Sequence, residues 1–204
     1  MDNDSRLLDL LKSEAVQRGL LEPEAELDAA TVFRFVRDMP YRRASDRDPE
    51  TTIAEWQGTC SGKHYLLKAL FAELGLSSQV MACTTITPVD PQAVPETHRS
   101  LYEAANRRFV DVHNYLLVDL PDGRGQMIVD ATWPLSALAA GMISNEAFIL
   151  GEDQKLAADP LQTWSIPPNV GPQEFKDQLL RSHFSKAELE FREEVIRALG
   201  EKSS

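Results

Sequence analysis

An α+β fold, rather than alternating α/β units, is what this 204-residue chain predicts, and three features of the sequence predict it. Helical periodicity occupies both ends of the chain, while the strand-like stretches gather in its middle. One segment, residues 61–74, is apolar round most of a helical circumference, the pattern of a central buried helix. Two β-rich runs, 110–120 and 126–132, flank Pro121-Asp122-Gly123-Arg124-Gly125, which has the chemistry of a hairpin turn. With 43% hydrophobic residues the chain can fill a core, and 1–204 reads as a single domain.

The elements follow in order. Residues 5–19 place Leu7, Leu8, Leu10, Leu11 and Val16 on a helical period closed by Gly19. A second helix is expected to start near Asp28, whose carboxylate can cap the amides ahead of Val32, Phe33, Phe35 and Val36, and to stop before Pro40. Residues 41–55 are polar and read as an ordered loop. The buried helix from Ser61 to Leu74 closes at Gly75, and Ser78 to Ile86 has β propensity. Residues 87–108, with Pro88, Pro91 and Pro95 and a short helix near 100–106, read as a substrate loop or as a surface insertion without a role. After Pro134 comes a mixed, proline-rich stretch, then helices at about 172–182 and 186–199, the last opened by a capping box of Ser185 and Glu188.

Charge removes some functions. Thirty-two acids against 21 bases give a net charge of −11, and Arg42-Arg43 and Arg107-Arg108 are the only dense cationic spots. A nucleic-acid partner or an anionic membrane surface needs a basic stripe, so neither is expected. No apolar run approaches the ~20 residues of a bilayer span. The polar start Met1-Asp2-Asn3-Asp4-Ser5 lacks the regions of a signal peptide, and two cysteines make no disulfide framework, so a cytoplasmic protein with reduced thiols is expected.

The chemistry centres on Cys60 in Trp56-Gln57-Gly58-Thr59-Cys60-Ser61-Gly62-Lys63-His64, where a polar segment gives way to the buried helix. A thiol is mostly protonated at neutral pH, and only the thiolate attacks carbonyls well. The unpaired amides of a helix N-terminus stabilise that thiolate. His113, in the first β-rich run, can take the proton, and Asp130, in the second, can hold the imidazole in the needed tautomer. Pairing through the turn sets the Asp130 strand beside the His113 strand. Alternation puts Asp111, His113 and Tyr115 on one face. For an oxyanion, the Cys60 amide is one donor and Gln57 or the Trp56 indole a second, while Trp133 can line a pocket.

Plainer roles stand beside these. His113 can be a satisfied core histidine and Asp130 a strand-end cap. Cys83 reads as a core residue, and Trp133 and Trp164 fit a core better than a substrate platform, although Trp133 follows Asp130 closely enough to line a pocket. His64, four residues after Cys60, invites a metal site, but the paired Cys-x-x-Cys spacing is absent; no metal or cofactor is expected, and His64 reads as a helix residue packing near the site. His98 and His183 read as surface residues.

The motif order resembles the transglutaminase-like superfamily, the papain-fold group with a Cys-His-Asp triad. The resemblance covers about residues 28–133, with 1–27 and 134–204 as helical N-terminal and C-terminal extensions. It rests on Gly58-x-Cys60, the helix to Leu74-Gly75-Leu76, the following strand, His113, and Asp130-Ala131-Thr132. It implies a papain-like core, with the cysteine helix packed on an antiparallel sheet, Cys60 as nucleophile, His113 as base and Asp130 as orienter. Asn114 after the histidine and Ser61 after the cysteine depart from the usual neighbours and bear on substrate. The expected activity is acyl transfer on an amide or thioester through an acyl-enzyme, with a peptide or small-molecule amide or amine as substrate. The competing expectation is an inactive member serving as a binding module.

Overall fold

The computed structural model describes residues 6–121 and 123–202, and the chain divides into two units, Met1–Val80 with Tyr115–Ala157 and Met81–Asn114 with Ala158–Ser204. The polar start at residues 1–5 and Asp122 of the turn lie outside the described residues. The secondary structure is α+β: seven described α-helices and one four-stranded sheet.

In the first unit, α1 (Arg6–Gln17) buries Leu11 and Ala15. Its Leu7 and Leu8 amides donate to the Glu73 carboxylate at 2.9 and 2.8 Å, so a side chain from elsewhere satisfies a helix start. Asp28 caps α2 (Ala29–Asp38) as the sequence implies, accepting from the Thr31 amide at 2.8 Å. The residues expected as a loop contain a further helix, α3 (Pro49–Glu55). Ile53 is its one large buried residue, so no periodicity announces it. Its signals are Asp48, which accepts from Glu50, and Pro49 at the first helical position, where no donor is needed.

The central helix α4 (Cys60–Glu73) buries Leu66, Leu67, Leu70 and Phe71 completely and packs against α1, α2 and α3. It ends in a Schellman turn: Leu76 donates to Phe71 and Gly75 to Ala72, with Gly75 at a φ of +77°.

The strands are β1 (Ser78–Pro88), β2 (Arg108–Asp119), β3 (Gln126–Val129) and β4 (Gln162–Ser165), in the order β3-β2-β1-β4. β3 runs antiparallel to β2, from Leu116 opposite Val129 to Asp119 opposite Gln126. β1 and β2 are antiparallel too, since Ser77 meets Asp119, Met81 meets Asn114 and Thr85 meets Asp111. The strand expected over 126–132 stops at Val129, so Asp130 lies beyond it. There side chains replace the ladder: Gln154 accepts the Asp130 amide, and Asp130 Oδ1 accepts the Thr132 amide.

In the second unit, β4 pairs antiparallel with β1, from Met81 opposite Ser165 to Thr84 opposite Gln162. This strand was not expected, being four residues between Pro160 and Pro167 with little burial. Helices α5 (Arg99–Ala104), α6 (Pro172–His183) and α7 (Lys186–Lys202) complete the unit. Leu179 and Leu180 of α6 pack on Ala82 and Val112. The 87–108 excursion is packed: Val94, Tyr102 and Ala105 share a buried cluster with Phe191 of α7. The capping box forms, with Ser185 donating its amide to Glu188 at 2.8 Å and accepting the Glu188 amide at 3.3 Å. Among the described residues, no helix is long and apolar enough to cross a membrane.

Candidate active site

Cys60 is the first residue of α4, and the residue before it, Thr59, is extended and makes no side-chain capping bond. The first-turn amides therefore lack a hydroxyl or carboxylate cap from Thr59, and their field favours an anionic sulfur at this position. The thiol is 2% exposed, its Sγ lies 4.0 Å from Ser61 Oγ, and neither cysteine forms a disulfide. Cys83, in β1, is fully buried.

The approach to Cys60 is built tightly. α3 ends at Trp56, which takes a left-handed φ of 52°, a conformation that costs a non-glycine residue ~1 kcal/mol or more. Its indole packs against Phe35 and beneath the Arg18 guanidinium, 5.0 Å from the ring centroid. Gln57 Nε2 donates to the Arg43 carbonyl at 2.9 Å and to Glu55 at 3.2 Å, so both amide hydrogens are committed to the preceding loop rather than to an oxyanion. A Cβ on Gly58 would meet Lys63 Cγ at 3.1 Å and the Lys63 amide at 3.3 Å, which explains the glycine. A cavity of about 160 Å³ adjoins the helix start, with Arg43, Arg47, Gly58, Thr59 and Gly62 in its wall.

Asp130 sits 2% exposed, and backbone amides hold both its oxygens. Oδ1 accepts from Thr132 at 3.0 Å and Oδ2 from Ala157 at 2.7 Å. Its own carbonyl accepts from Asn145 Nδ2 at 2.9 Å. Two N–H donors aimed at a buried carboxylate stabilise its charged form and fix its orientation. Trp133 follows, half-buried and stacked on Tyr41 with ring centroids 4.1 Å apart.

His113 belongs to the other unit, on β2, where it is 4% exposed. Two residues earlier, Asp111 is bound by Arg192 at 2.7 Å and has Lys176 at 3.6 Å. Burial pushes the Asp111 carboxyl up, but the Arg192 and Lys176 charges and the Arg192 hydrogen bond outweigh it and hold it below the usual carboxylate value. Asn114 donates to the Met81 carbonyl at 3.0 Å, a structural bond between strands. His98 meets Glu194 at 3.2 Å on the surface, and the exposed His183 packs edge-on to Trp164.

Sequence reasoning passed over Lys63. It is fully buried, and its Nζ donates to the carbonyls of Arg37 at 2.8 Å and Thr132 at 2.9 Å. Burial pushes the amine down from 10.5 to about 7, against upward pulls from Asp38 and Asp130. The signal was present: a lysine inside a helix read as buried on most sides must find polar partners. Among the described residues, no group of three or more His, Cys, Asp or Glu is arranged to hold a metal.

Compared with protein-family models, with curated proteins and with solved structures, the chain matches none.

Proposed function

We propose that the chain is a cysteine-dependent acyl-transfer enzyme with a transglutaminase-like, papain-like core. The observation that carries this is Cys60 at the start of α4, with the Asp130 segment held to the same part of that helix by Lys63 and His64. The Cys60 thiolate attacks the carbonyl of an amide or thioester. His113, carrying the thiol proton, donates it to the leaving amine or thiol as the bond to the acyl carbon breaks, and a thioester remains on Sγ. A second nucleophile, water or an amine, then loses its proton to His113, attacks the thioester and releases the thiolate. Asp130 orients the imidazole and stabilises its cation. The Cys60 amide is one oxyanion donor in this reading, and the committed hydrogens of Gln57 count against it as the second.

The substrate in this reading is a peptide or small-molecule amide or amine, and the compartment is the cytoplasm, which two cysteines without a disulfide support. A net charge of −11 argues against nucleic acid as the partner. A second reading, an inactive module that keeps the fold for binding, is favoured by the low exposure of Cys60 at 2% and His113 at 4%.

Incubation with p-nitrophenyl acetate separates the two. The enzyme reading expects p-nitrophenolate release and an acetyl group on the Cys60 peptide, much reduced in His113→Ala. Acetylation no faster at Cys60 than at Cys83 would leave the binding module.

A further inference from the structure

Lys63 and His64 are both 0% exposed in the first two turns of α4, and no chemical step above uses either. A buried amine and a buried imidazole persist only where their polar atoms are paired. The pairing defines the state of His64. Its Nδ1 lies 2.7 Å from the Cys60 carbonyl oxygen, which only accepts, so Nδ1 carries a proton. Its Nε2 lies 2.9 Å from the Ala131 amide, which only donates, so Nε2 presents a lone pair. The imidazole is neutral, and the 3.6 Å between Nε2 and Asp130 Oδ1 is proximity without a shared proton. Lys63 uses two N–H donors on the Arg37 and Thr132 carbonyls, the number a neutral amine possesses.

The two side chains thus grip one short segment at two points: the amide of Ala131 and the carbonyl of Thr132, with the 131–132 peptide between them. We propose that Lys63 and His64 are positioning residues that clamp Asp130-Ala131-Thr132 onto the turn of α4 beginning at Cys60, and so set the orienting carboxylate relative to the nucleophile. The inference rests on the reading of Cys60 as nucleophile. It asks more of these residues than packing, because an apolar pair of similar volume would fill the space and hold neither peptide group. Gln154, Asn145 and Ala157 also hold Asp130. Breaking the clamp therefore loosens Asp130 from α4 while these other anchors stay in place. The charged neighbours of Lys63 are Asp38, Asp130, Arg37 and Cys60, and burial holds its amine toward the neutral form that the two carbonyls fit.

The test uses the full chain. Two-dimensional ¹H–¹⁵N NMR of the wild type should show His64 with a protonated Nδ1 and an unprotonated Nε2, without titration between about pH 5.5 and 8.5, the range in which an ordinary histidine changes charge. Alkylation of Cys60 by iodoacetamide against pH, read by peptide mass spectrometry with Cys83 as reference, should slow ~10–100-fold near pH 6.5 in His64→Leu, as loss of an outer-shell anchor does elsewhere, and its midpoint should rise. Lys63→Met should act in the same direction, and His64→Gln, which keeps a donor and an acceptor, should stay nearer the wild type. A His64 that titrates or carries its proton on Nε2 overturns the clamp without any variant, as does a folded His64→Leu with the wild-type alkylation profile. A wild-type midpoint at the ~8.5 of an ordinary thiol removes the nucleophile reading itself, and the clamp's role with it.

Discussion

Replacing Lys63 with methionine keeps an unbranched apolar stem and removes the amine, and the structure sets the size of the effect. In the unfolded chain the amine titrates near 10.5, in the folded protein near 7. Between those values the unfolded state holds a proton that the folded state lacks, so stability rises with pH across the window. The contribution is complete above 10.5 and is lost as pH falls through about 7, where the fold must bury an ammonium. At ~1.4 kcal/mol for each pH unit, the displacement amounts to ~5 kcal/mol, with no discount for solvent because the side chain is fully buried. Lys63→Met removes this pH-dependent burden and leaves the Arg37 and Thr132 carbonyls without the amine, a loss of ~1–3 kcal/mol each. The variant should therefore match or exceed the wild type near pH ~6 and fall ~2–6 kcal/mol below it near pH ~10. Urea unfolding followed by tryptophan fluorescence at a series of pH values measures the difference directly, since the other titrating groups are common to both proteins. A difference curve constant to within ~1 kcal/mol from pH ~6 to ~10 would show that Lys63 does not titrate as its burial demands.

Further expectations bear on other parts of the molecule. Gly58→Ala sets a Cβ 3.1 Å from Lys63 Cγ and 3.3 Å from its amide, so it should lower stability by ~1–3 kcal/mol; an unchanged melting temperature would mean that the start of α4 yields easily. Asp130→Asn points an NH2 group at one of the amides of Thr132 and Ala157. It should cost ~1–3 kcal/mol and slow acylation of Cys60 by ~10²–10⁴-fold, and a near-wild-type rate would leave Asp130 a purely structural role. Arg192→Met strips the principal cation from buried Asp111 and should destabilise the second unit by ~3–5 kcal/mol, seen as a lower urea midpoint. The folded Asp111 carboxyl lies below its ordinary 3.8, so its stabilisation is present above that value and lost as pH falls further. The variant should accordingly lack that share of the wild type's acid-induced loss, and an identical acid transition would refute the coupling.

Local chemistry made much of the fold legible. The apolar circumference of residues 61–74 predicts α4, Asp28 predicts the start of α2, and Ser185 with Glu188 predicts the box that opens α7. What escaped was decided by contacts between distant residues. β3 ends at Val129 because Gln154 and Ala157, far along the chain, take the polar groups of Asp130. α3 and β4 are short, with too few apolar positions to show a period. At the candidate site, the position of Cys60 at a helix start was readable, but the partners of Gln57 and the grip of Lys63 and His64 were not. Nothing in Gly-Lys-His indicates which carbonyls and amides those side chains will meet.

The most direct test of the central claim is the pH dependence of Cys60 alkylation in the wild type and in His113→Ala, with Cys83 as the internal reference. An activated nucleophile predicts rapid labelling of Cys60 well below the ~8.5 of an ordinary thiol, with the midpoint rising when His113 is removed. A Cys60 that labels only near that ordinary value, or no faster than the buried Cys83, would contradict the claim and leave the chain a binding module.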